Sequence, residues 1–145
     1  MAVGKSQTPD DNDWLSRGQS LEAVGTHQAL AEAVACYDQA IAGLQSIHPQ
    51  DVTVTRHLAI AWMNRGNALQ KQTDRALDAA RAYDRAISLF ALLPSDDAIA
   101  NRTGAAWLNR GHALQQLPDT NYRLEAITST EQAIELLSKL PVGSN

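Results

Sequence analysis

The sequence predicts an all-α protein built from three antiparallel helical hairpins. Three observations indicate this fold: a string beginning with tryptophan occurs three times, a second string follows each copy, and a proline follows each second string. The first strings are Trp14-Leu-Ser-Arg-Gly-Gln-Ser-Leu21, Trp62-Met-Asn-Arg-Gly-Asn-Ala-Leu69 and Trp107-Leu-Asn-Arg-Gly-His-Ala-Leu114. Because internal repeats are typical of proteins built from stacked supersecondary units, each copy is interpreted as one hairpin.

Within each copy, the first string is predicted to form the first helix and the second string the second helix. The second strings are Ala33-x-x-x-Tyr37-x-x-Ala40-Ile41, Ala79-x-x-x-Tyr83-x-x-Ala86-Ile87 and Ala126-x-x-x-Thr130-x-x-Ala133-Ile134. They place small and large residues at three- and four-residue spacing on one helical face. The threonines expected to cap these helices are Thr26, Thr73 and Thr120. The prolines that end the units are Pro49, Pro94 and Pro141, so the repeats span residues 11–49, 50–94 and 95–141.

This pattern resembles the tetratricopeptide repeat, whose signature is Trp-x-x-Leu-Gly-x-x-Tyr, then Ala-x-x-x-Phe, then Pro. The resemblance covers nearly the whole chain, from about Asn12 to Pro141. Arginine replaces the signature's leucine in every copy, leucine replaces its tyrosine, and Thr130 replaces the last aromatic residue. The resemblance implies a short right-handed solenoid of about six helices that binds other proteins.

The repeats are longer than the family's period of about 34 residues. Trp14 and Trp62 are 48 residues apart, and Trp62 and Trp107 are 45 apart. About seven of the extra residues lie between each internal proline and the next tryptophan, which is close to two helical turns. Insertions of nearly whole turns keep the apolar faces in phase, so we expect several helices near 20 residues long.

Length and composition favour a single globular domain at residues 11–141, with a flexible tail at 1–10 and a frayed end at 142–145. Of the 145 residues, 44% are hydrophobic and 19% charged, as in ordinary folded domains. The net charge of −4 and the dispersed basic residues argue against nucleic acid as a partner. One cysteine, and no signal-like or membrane-spanning run, favour a cytoplasmic protein without a membrane partner.

Residue constellations for catalysis or metal binding are not evident in the sequence. The four histidines, His27, His48, His57 and His112, are scattered and form no zinc-like cluster. There is also no glycine-rich phosphate loop and no nucleophile elbow. The sequence therefore predicts no enzyme, no metal and no cofactor, because an all-α enzyme would need a buried polar pocket that no constellation indicates.

The resemblance implies that the first helices line a concave binding groove. The positions carried over from the family are Leu15, Ser16, Gln19, Met63, Asn64, Asn67, Gln70, Leu108, Asn109, His112 and Gln115. Amides can bind an extended backbone, while leucine and methionine accept apolar side chains, so a peptide or partner helix is the expected ligand. Leu15 and Leu108 stand where the chaperone-tail-binding members carry lysine. Alternatively, Asn64 and Asn109 only bond neighbouring helices.

Packing within the hairpins follows from the same pattern. The tryptophans are expected to be buried between the two helices of each hairpin, with Met63, Asn67, Leu108 and His112 partly exposed. An acid follows the aromatic position in each copy, which predicts an ion pair inside every hairpin. The predicted pairs are Arg17 with Asp38, Arg65 with Asp84, and Arg110 with Glu131.

The carboxy-terminal helix is expected to leave apolar surface uncovered, since only five residues follow Leu140. Its apolar residues are Leu124, Ile127, Ile134, Leu136, Leu137 and Leu140. A two-fold homodimer through this hairpin is therefore a structural alternative to a peptide-binding role. The competing interpretations are that the chain is a piece of a longer solenoid, or that Glu131, Glu135 and Lys139 make this face sufficiently polar.

Overall fold

In residues 11–141, which the computed structural model describes, the chain forms six α-helices and no β-strand. The helices are α1 (Asp11–Val24), α2 (His27–Gln45), α3 (Val52–Gln70), α4 (Ala76–Phe90), α5 (Asp97–Gln115) and α6 (Thr120–Ser138). The all-α prediction is confirmed, and four of these helices are 19 residues long, close to the expected length. The predicted tail at 1–10 and frayed end at 142–145 lie outside the described residues.

The extra residues of the long repeats extend the first helices at their amino-terminal ends. Helices α3 and α5 both begin ten residues before their tryptophan. Asp51 and Asp96 cap them, with side chains that accept hydrogen bonds from the amides of Val54 and Ile99. A carboxylate at this position satisfies one amide that has no partner inside the helix, so each added segment begins with its own start signal.

The second helices begin in three different ways. Thr26 caps α2 as predicted, and its hydroxyl accepts from the amide of Ala29. The prediction for Thr73 is wrong, because α4 begins three residues later and follows Arg75, which makes no side-chain cap. The prediction for Thr120 is also wrong: Thr120 is the first residue of α6, and the carboxylate of Asp119 supplies the cap.

Helices that follow one another in sequence pack against one another throughout the described chain. Beyond these neighbours, α1 contacts α3, and α3 contacts α5. Within residues 11–141 no comparable contact joins α2 to α4 or α4 to α6. The three first helices are therefore closer to one another than the three second helices are.

A glycine of the first helix meets a tyrosine ring of the second helix in two hairpins. A Cβ atom added to Gly18 would lie 2.5 Å from Cε1 of Tyr37, and one added to Gly66 would lie 2.8 Å from Cε1 of Tyr83. Both tyrosine side chains are fully buried. A larger residue at either glycine would hold the two helices apart, so the absence of a side chain is what allows this packing.

The tryptophans are only partly buried, which corrects the expectation that they lie within the core. An arginine three residues later covers each ring: Arg17 lies 5.0 Å from the centroid of Trp14, and Arg65 lies 5.7 Å from that of Trp62. Arg110 covers the third ring at the same 5.7 Å distance. Large indole rings are seldom completely enclosed, and a cation over the ring face stabilises the exposed side.

None of the three arginines forms the ion pair predicted for it. Arg65 and Arg110 each pair with an aspartate of the preceding hairpin, and Arg110 also pairs with Glu125 of its own hairpin at 3.0 Å. Nε of Arg65 lies 2.7 Å from Oδ1 of Asp38, and Arg110 pairs with Asp84 in the same way. Tyr37 and Tyr83 point into their own hairpins, and the next residue is rotated by about 100° around the helix. Each aspartate therefore faces the following hairpin.

Candidate functional site

A polar groove crosses the three first helices. Its larger part, of about 540 Å³, is lined by Glu22, Asn67, Gln70, Lys71, Asn109 and Gln116. An adjoining depression of about 320 Å³ is lined by Gln19, Glu22, Ala23, Asn64 and Lys71. The two parts share Glu22 and Lys71, so they form one continuous surface, which we call the amide groove.

Helical spacing brings the groove residues together. Asn64, Asn67, Gln70 and Lys71 lie at three- and four-residue intervals on α3 and at its carboxy-terminal cap, and such residues share one helix face. The contacts of α3 with α1 and α5 add residues from both neighbouring first helices to the same surface. The groove is therefore assembled from all three hairpins.

The charged residues of the groove neutralise each other. Nζ of Lys71 lies 2.8 Å from Oε2 of Glu22, and the hydroxyl of Tyr37 donates to Oε1 of the same carboxylate at 2.8 Å. The Glu22 side chain is only 13% exposed, so these two partners stabilise a charge that has lost most of its water. The remaining polar side chains of the groove are uncharged amides.

The hydroxyl of Tyr83 contacts two side-chain amides at the centre of the groove. This hydroxyl lies 2.7 Å from Oδ1 of Asn67 and 2.6 Å from Oε1 of Gln70, and Nδ2 of Asn109 donates to the same Asn67 oxygen at 3.3 Å. A hydroxyl carries one proton, so it donates to one of the two oxygens at a time. Among the described residues no acceptor is bonded to the NH₂ groups of Asn67 and Gln70, which leaves both as donors.

Both tyrosine hydroxyls remain protonated at neutral pH. Burial raises the pKa of Tyr37 above its ordinary value, and the hydrogen bond to Glu22 raises it further. Burial also raises the pKa of Tyr83, with a smaller contribution from the Glu22 charge. A neutral hydroxyl is a hydrogen-bond donor, so the floor of the groove keeps its donors over the physiological pH range.

Asn64 and Asn109 differ in the role that they have within the chain. Nδ2 of Asn109 donates a hydrogen bond to Asn67 of the neighbouring first helix. This contact agrees with the alternative in which the asparagines only bond neighbouring helices. Nδ2 of Asn64 is shielded from solvent, and no hydrogen-bond partner for it exists among the described residues. A buried donor without a partner costs about 1–3 kcal/mol, so Asn64 is not explained by bonding between helices.

Five of the residues selected from the sequence line the amide groove: Gln19, Asn64, Asn67, Gln70 and Asn109. Leu15 and Met63 are partly buried and pack against the hydrophobic core instead. The remaining four are exposed side chains that do not line the groove: Ser16, Leu108, His112 and Gln115. The groove is therefore more polar than the sequence predicts.

Sequence reasoning missed Glu22, Lys71 and Gln116. Glu22 and Lys71 lie 49 residues apart, close to the repeat length, at the ends of consecutive first helices. Opposite charges in nearly the same position of adjacent repeats are a signal that could have identified this pair. Gln116 caps the carboxy-terminal end of α5, just beyond the helix positions to which the family resemblance was applied.

The groove offers hydrogen-bond donors, acceptors and one ion pair to a ligand. Within residues 11–141, no three histidine, cysteine, aspartate or glutamate side chains are close enough to hold a metal ion together. None of the six helices combines the length and the hydropathy needed to cross a bilayer. Cys36 is buried, and burial raises the pKa of its thiol.

Comparisons with models of known protein families, with curated proteins and with solved structures give no match.

Proposed function

We propose that this chain is a protein-interaction module of the tetratricopeptide type, whose amide groove binds an extended peptide. The observation that carries the proposal is that uncharged amides from three successive first helices line one groove. An extended peptide presents N–H and C=O groups along its length, and each side-chain amide can both donate and accept. A bound helix would already have satisfied these groups internally, so the groove suits an extended ligand better than a helical one.

The dimensions of the groove suit a short segment. Packed helices lie about 8–10 Å apart, so three first helices span about 20 Å. An extended chain advances about 3.3 Å per residue, and about six residues therefore cross the groove. The contacts among first helices, with none of that kind between second helices in residues 11–141, support a solenoid whose concave face is formed by the first helices.

Hydrogen bonding rather than charge selects the ligand in this proposal. Glu22 and Lys71 are paired, so the groove has little net charge to attract an acidic or basic peptide. Salt screens interactions between exposed charges far more than it weakens hydrogen bonds. Binding should therefore depend weakly on ionic strength. The unpartnered donor of Asn64 adds a further group that a ligand carbonyl could satisfy after rotation of its side chain.

A peptide selection with matched variants tests the proposal. Random eight-residue peptides displayed on phage are selected on the immobilised chain, and the affinities of the enriched peptides are measured. In the groove variant, Asn109→Ala is combined with Gln116→Ala. Each lost hydrogen bond contributes about 0.5–1.5 kcal/mol, so the loss of two should lower the affinity about 5- to 150-fold. The exposed Gln132 on α6 provides the control Gln132→Ala, which should bind like the wild type. Equal binding by all three proteins would refute the groove as the site.

The setting of this module is the cytoplasm in our proposal. Cys36 is a free, buried thiol, and free thiols persist in reducing compartments. The module would act there as a scaffold without a cofactor.

Self-association is the second candidate function, and one specific observation favours it. Leu124, Ile127 and Ile134 on α6 have exposed fractions of 59%, 55% and 61%. Large apolar side chains grouped on one exposed helix commonly mark an interface. In this alternative the chain serves to assemble copies of itself, and the groove need not have a separate ligand.

A further inference from the structure

The three second helices carry one repeated triplet, each on a single helix face. An apolar residue, an acid and a second apolar residue occur at positions i, i+4 and i+7, which share one side of a helix. In α2 the triplet is Val34, Asp38 and Ile41; in α4 it is Ala80, Asp84 and Ile87; and in α6 it is Ile127, Glu131 and Ile134. The three triplets lie at the same distance from the Tyr37, Tyr83 and Thr130 positions.

In α2 and α4 this triplet receives the next first helix. Ile41 packs in one cluster with Val54 and Leu58 of α3, and Asp38 pairs with Arg65. Ala80 of α4 belongs to one cluster with Ala113 and Leu114 of α5. Asp84 completes that contact by pairing with Arg110. The triplet is therefore the part of each second helix on which the next hairpin packs.

In α6 the same triplet has nothing packed on it within the described chain. Ile41 of α2 is 6% exposed, whereas the equivalent Ile134 is 61% exposed. Ala80 of α4 is 2% exposed, whereas the equivalent Ile127 is 55% exposed. Glu131 is also exposed. The difference arises because α5 is the only helix of the described chain that packs on α6.

Helix α1 carries part of the first-helix surface that packs on these triplets, since α1 begins after the positions equivalent to Val54 and Leu58. Arg17 stands at the position of Arg65 and Arg110, covers its tryptophan in the same way, and is exposed. Ser20 stands at the position of Ala68, which is buried against Ala33 and Tyr37 of α2. Ser20 itself is exposed, and within the described residues only α2 and α3 contact α1.

We propose that α1 of a second copy of this chain docks on α6, with Arg17 of one copy paired to Glu131 of the other. The contact repeats the part of the interface between hairpins that contains the arginine–acid pair, and the geometry of that pair is present twice in each molecule. It is a head-to-tail contact between different surfaces, and it leads to an open row of copies instead of a closed two-fold dimer. The row would also place α1 of one copy beside α5 of the other and so continue the amide groove.

Residue differences indicate that the contact between copies is weaker than the internal one. Asp13 of α1 stands where α3 and α5 have the buried alanines Ala61 and Ala106. A charged side chain against an apolar surface reduces the gain from burial. Association is therefore expected at tens of micromolar or above, which corresponds to about −6 kcal/mol. Arg17 and Glu131 do not line the amide groove, so this inference does not depend on the proposed peptide binding.

Charge reversal in sedimentation equilibrium tests the proposal on the full chain between about 10 μM and about 1 mM, a range that brackets the expected dissociation constant. The mean mass of the wild type should rise with concentration. Arg17→Glu and Glu131→Arg should each weaken association at least tenfold, because each places like charges in contact. The double variant, and an equimolar mixture of the two single variants, should restore association, since both recreate opposite charges. Circular dichroism verifies that every variant is folded.

Two controls of equal charge change lie at exposed sites outside both surfaces: Arg102→Glu on α5 and Glu32→Arg on α2. Both should associate like the wild type. A wild type that stays monomeric over the whole range would overturn the proposal. Association that Arg17→Glu leaves unchanged would also overturn it, and would indicate a two-fold contact through α6. Failure of peptide selection would leave this result untouched.

Discussion

Arg65 of the second hairpin and Asp38 of the first lie 2.7 Å apart, so this ion pair joins two repeats and not the two helices of one repeat. The exposed fractions of their side chains are 21% and 52%. Solvent therefore screens the attraction, and the pair is expected to contribute modestly to stability. Its value lies in fixing how one hairpin is oriented on the next.

A double-mutant cycle measures this pair directly. Arg65→Ala and Asp38→Ala are combined, and the free energy of unfolding is obtained from urea titrations. A coupling energy of about 0.5–1 kcal/mol is expected, as is usual for partly exposed ion pairs. The control cycle replaces Arg65 and Asp84, the two residues of the pairing predicted from the sequence. Its coupling should be near zero, and a larger coupling for Asp84 than for Asp38 would contradict the structure.

The close approach of Gly66 to Tyr83 predicts that Gly66→Ala destabilises the protein. The new Cβ would lie 2.8 Å from the buried ring, and overpacking of this kind costs about 1–3 kcal/mol. Alanine's better helix propensity returns up to about 1 kcal/mol, so a net loss of about 1–2 kcal/mol is expected. In the background Tyr83→Leu the loss should shrink, because the ring is gone. The same loss in both backgrounds would show that the contact does not limit helix approach.

The two buried tyrosines predict a loss of stability in alkaline solution. Their pKa values are raised above the ordinary value of 10.0 in the folded chain, whereas unfolding restores that value. Above about pH 10 the unfolded state releases protons that the folded state keeps, so each tyrosine lowers stability by up to about 1.4 kcal/mol per pH unit. Below that pH their contribution is constant.

Urea unfolding between about pH 8 and about pH 11 measures this dependence. The variant Tyr37→Phe combined with Tyr83→Phe should show a flatter decline than the wild type, since phenylalanine does not titrate. The exposed arginines and lysines are common to both proteins and cancel in the comparison. Parallel curves would mean that these hydroxyls titrate alike in both states.

The repeat pattern was sufficient to predict the helices, because each depends on local spacing. Six helices, four of them 19 residues long, and the Thr26 cap all follow from periodicity and local start signals. The partners of Arg65 and Arg110 depend instead on the rotation of one hairpin on the next. A difference of one residue turns a side chain by about 100°, so the same acid can face either hairpin.

The site was predictable in part for the same reason. Position along the first helices was sufficient to identify Asn67 and Asn109 as groove residues. Leu15 and Met63 were selected on the same basis, but their side chains are rotated around the helix towards the hydrophobic core. The pairing of Glu22 with Lys71 depends on how closely α1 approaches α3. That distance is a tertiary property, and spacing along a single repeat does not contain it.

The binding of an extended peptide by the amide groove is tested most directly by the side-chain NH₂ signals in heteronuclear NMR spectra. A peptide from the selection is titrated into the isotopically labelled chain. The signals of Asn67, Gln70 and Asn109 should shift progressively with peptide concentration, because their protons would bond to the ligand. The signals of Gln28 and Gln132, which lie on second helices, should stay in place. Shifts confined to Gln28 and Gln132, with the groove amides unmoved, would contradict the proposed function.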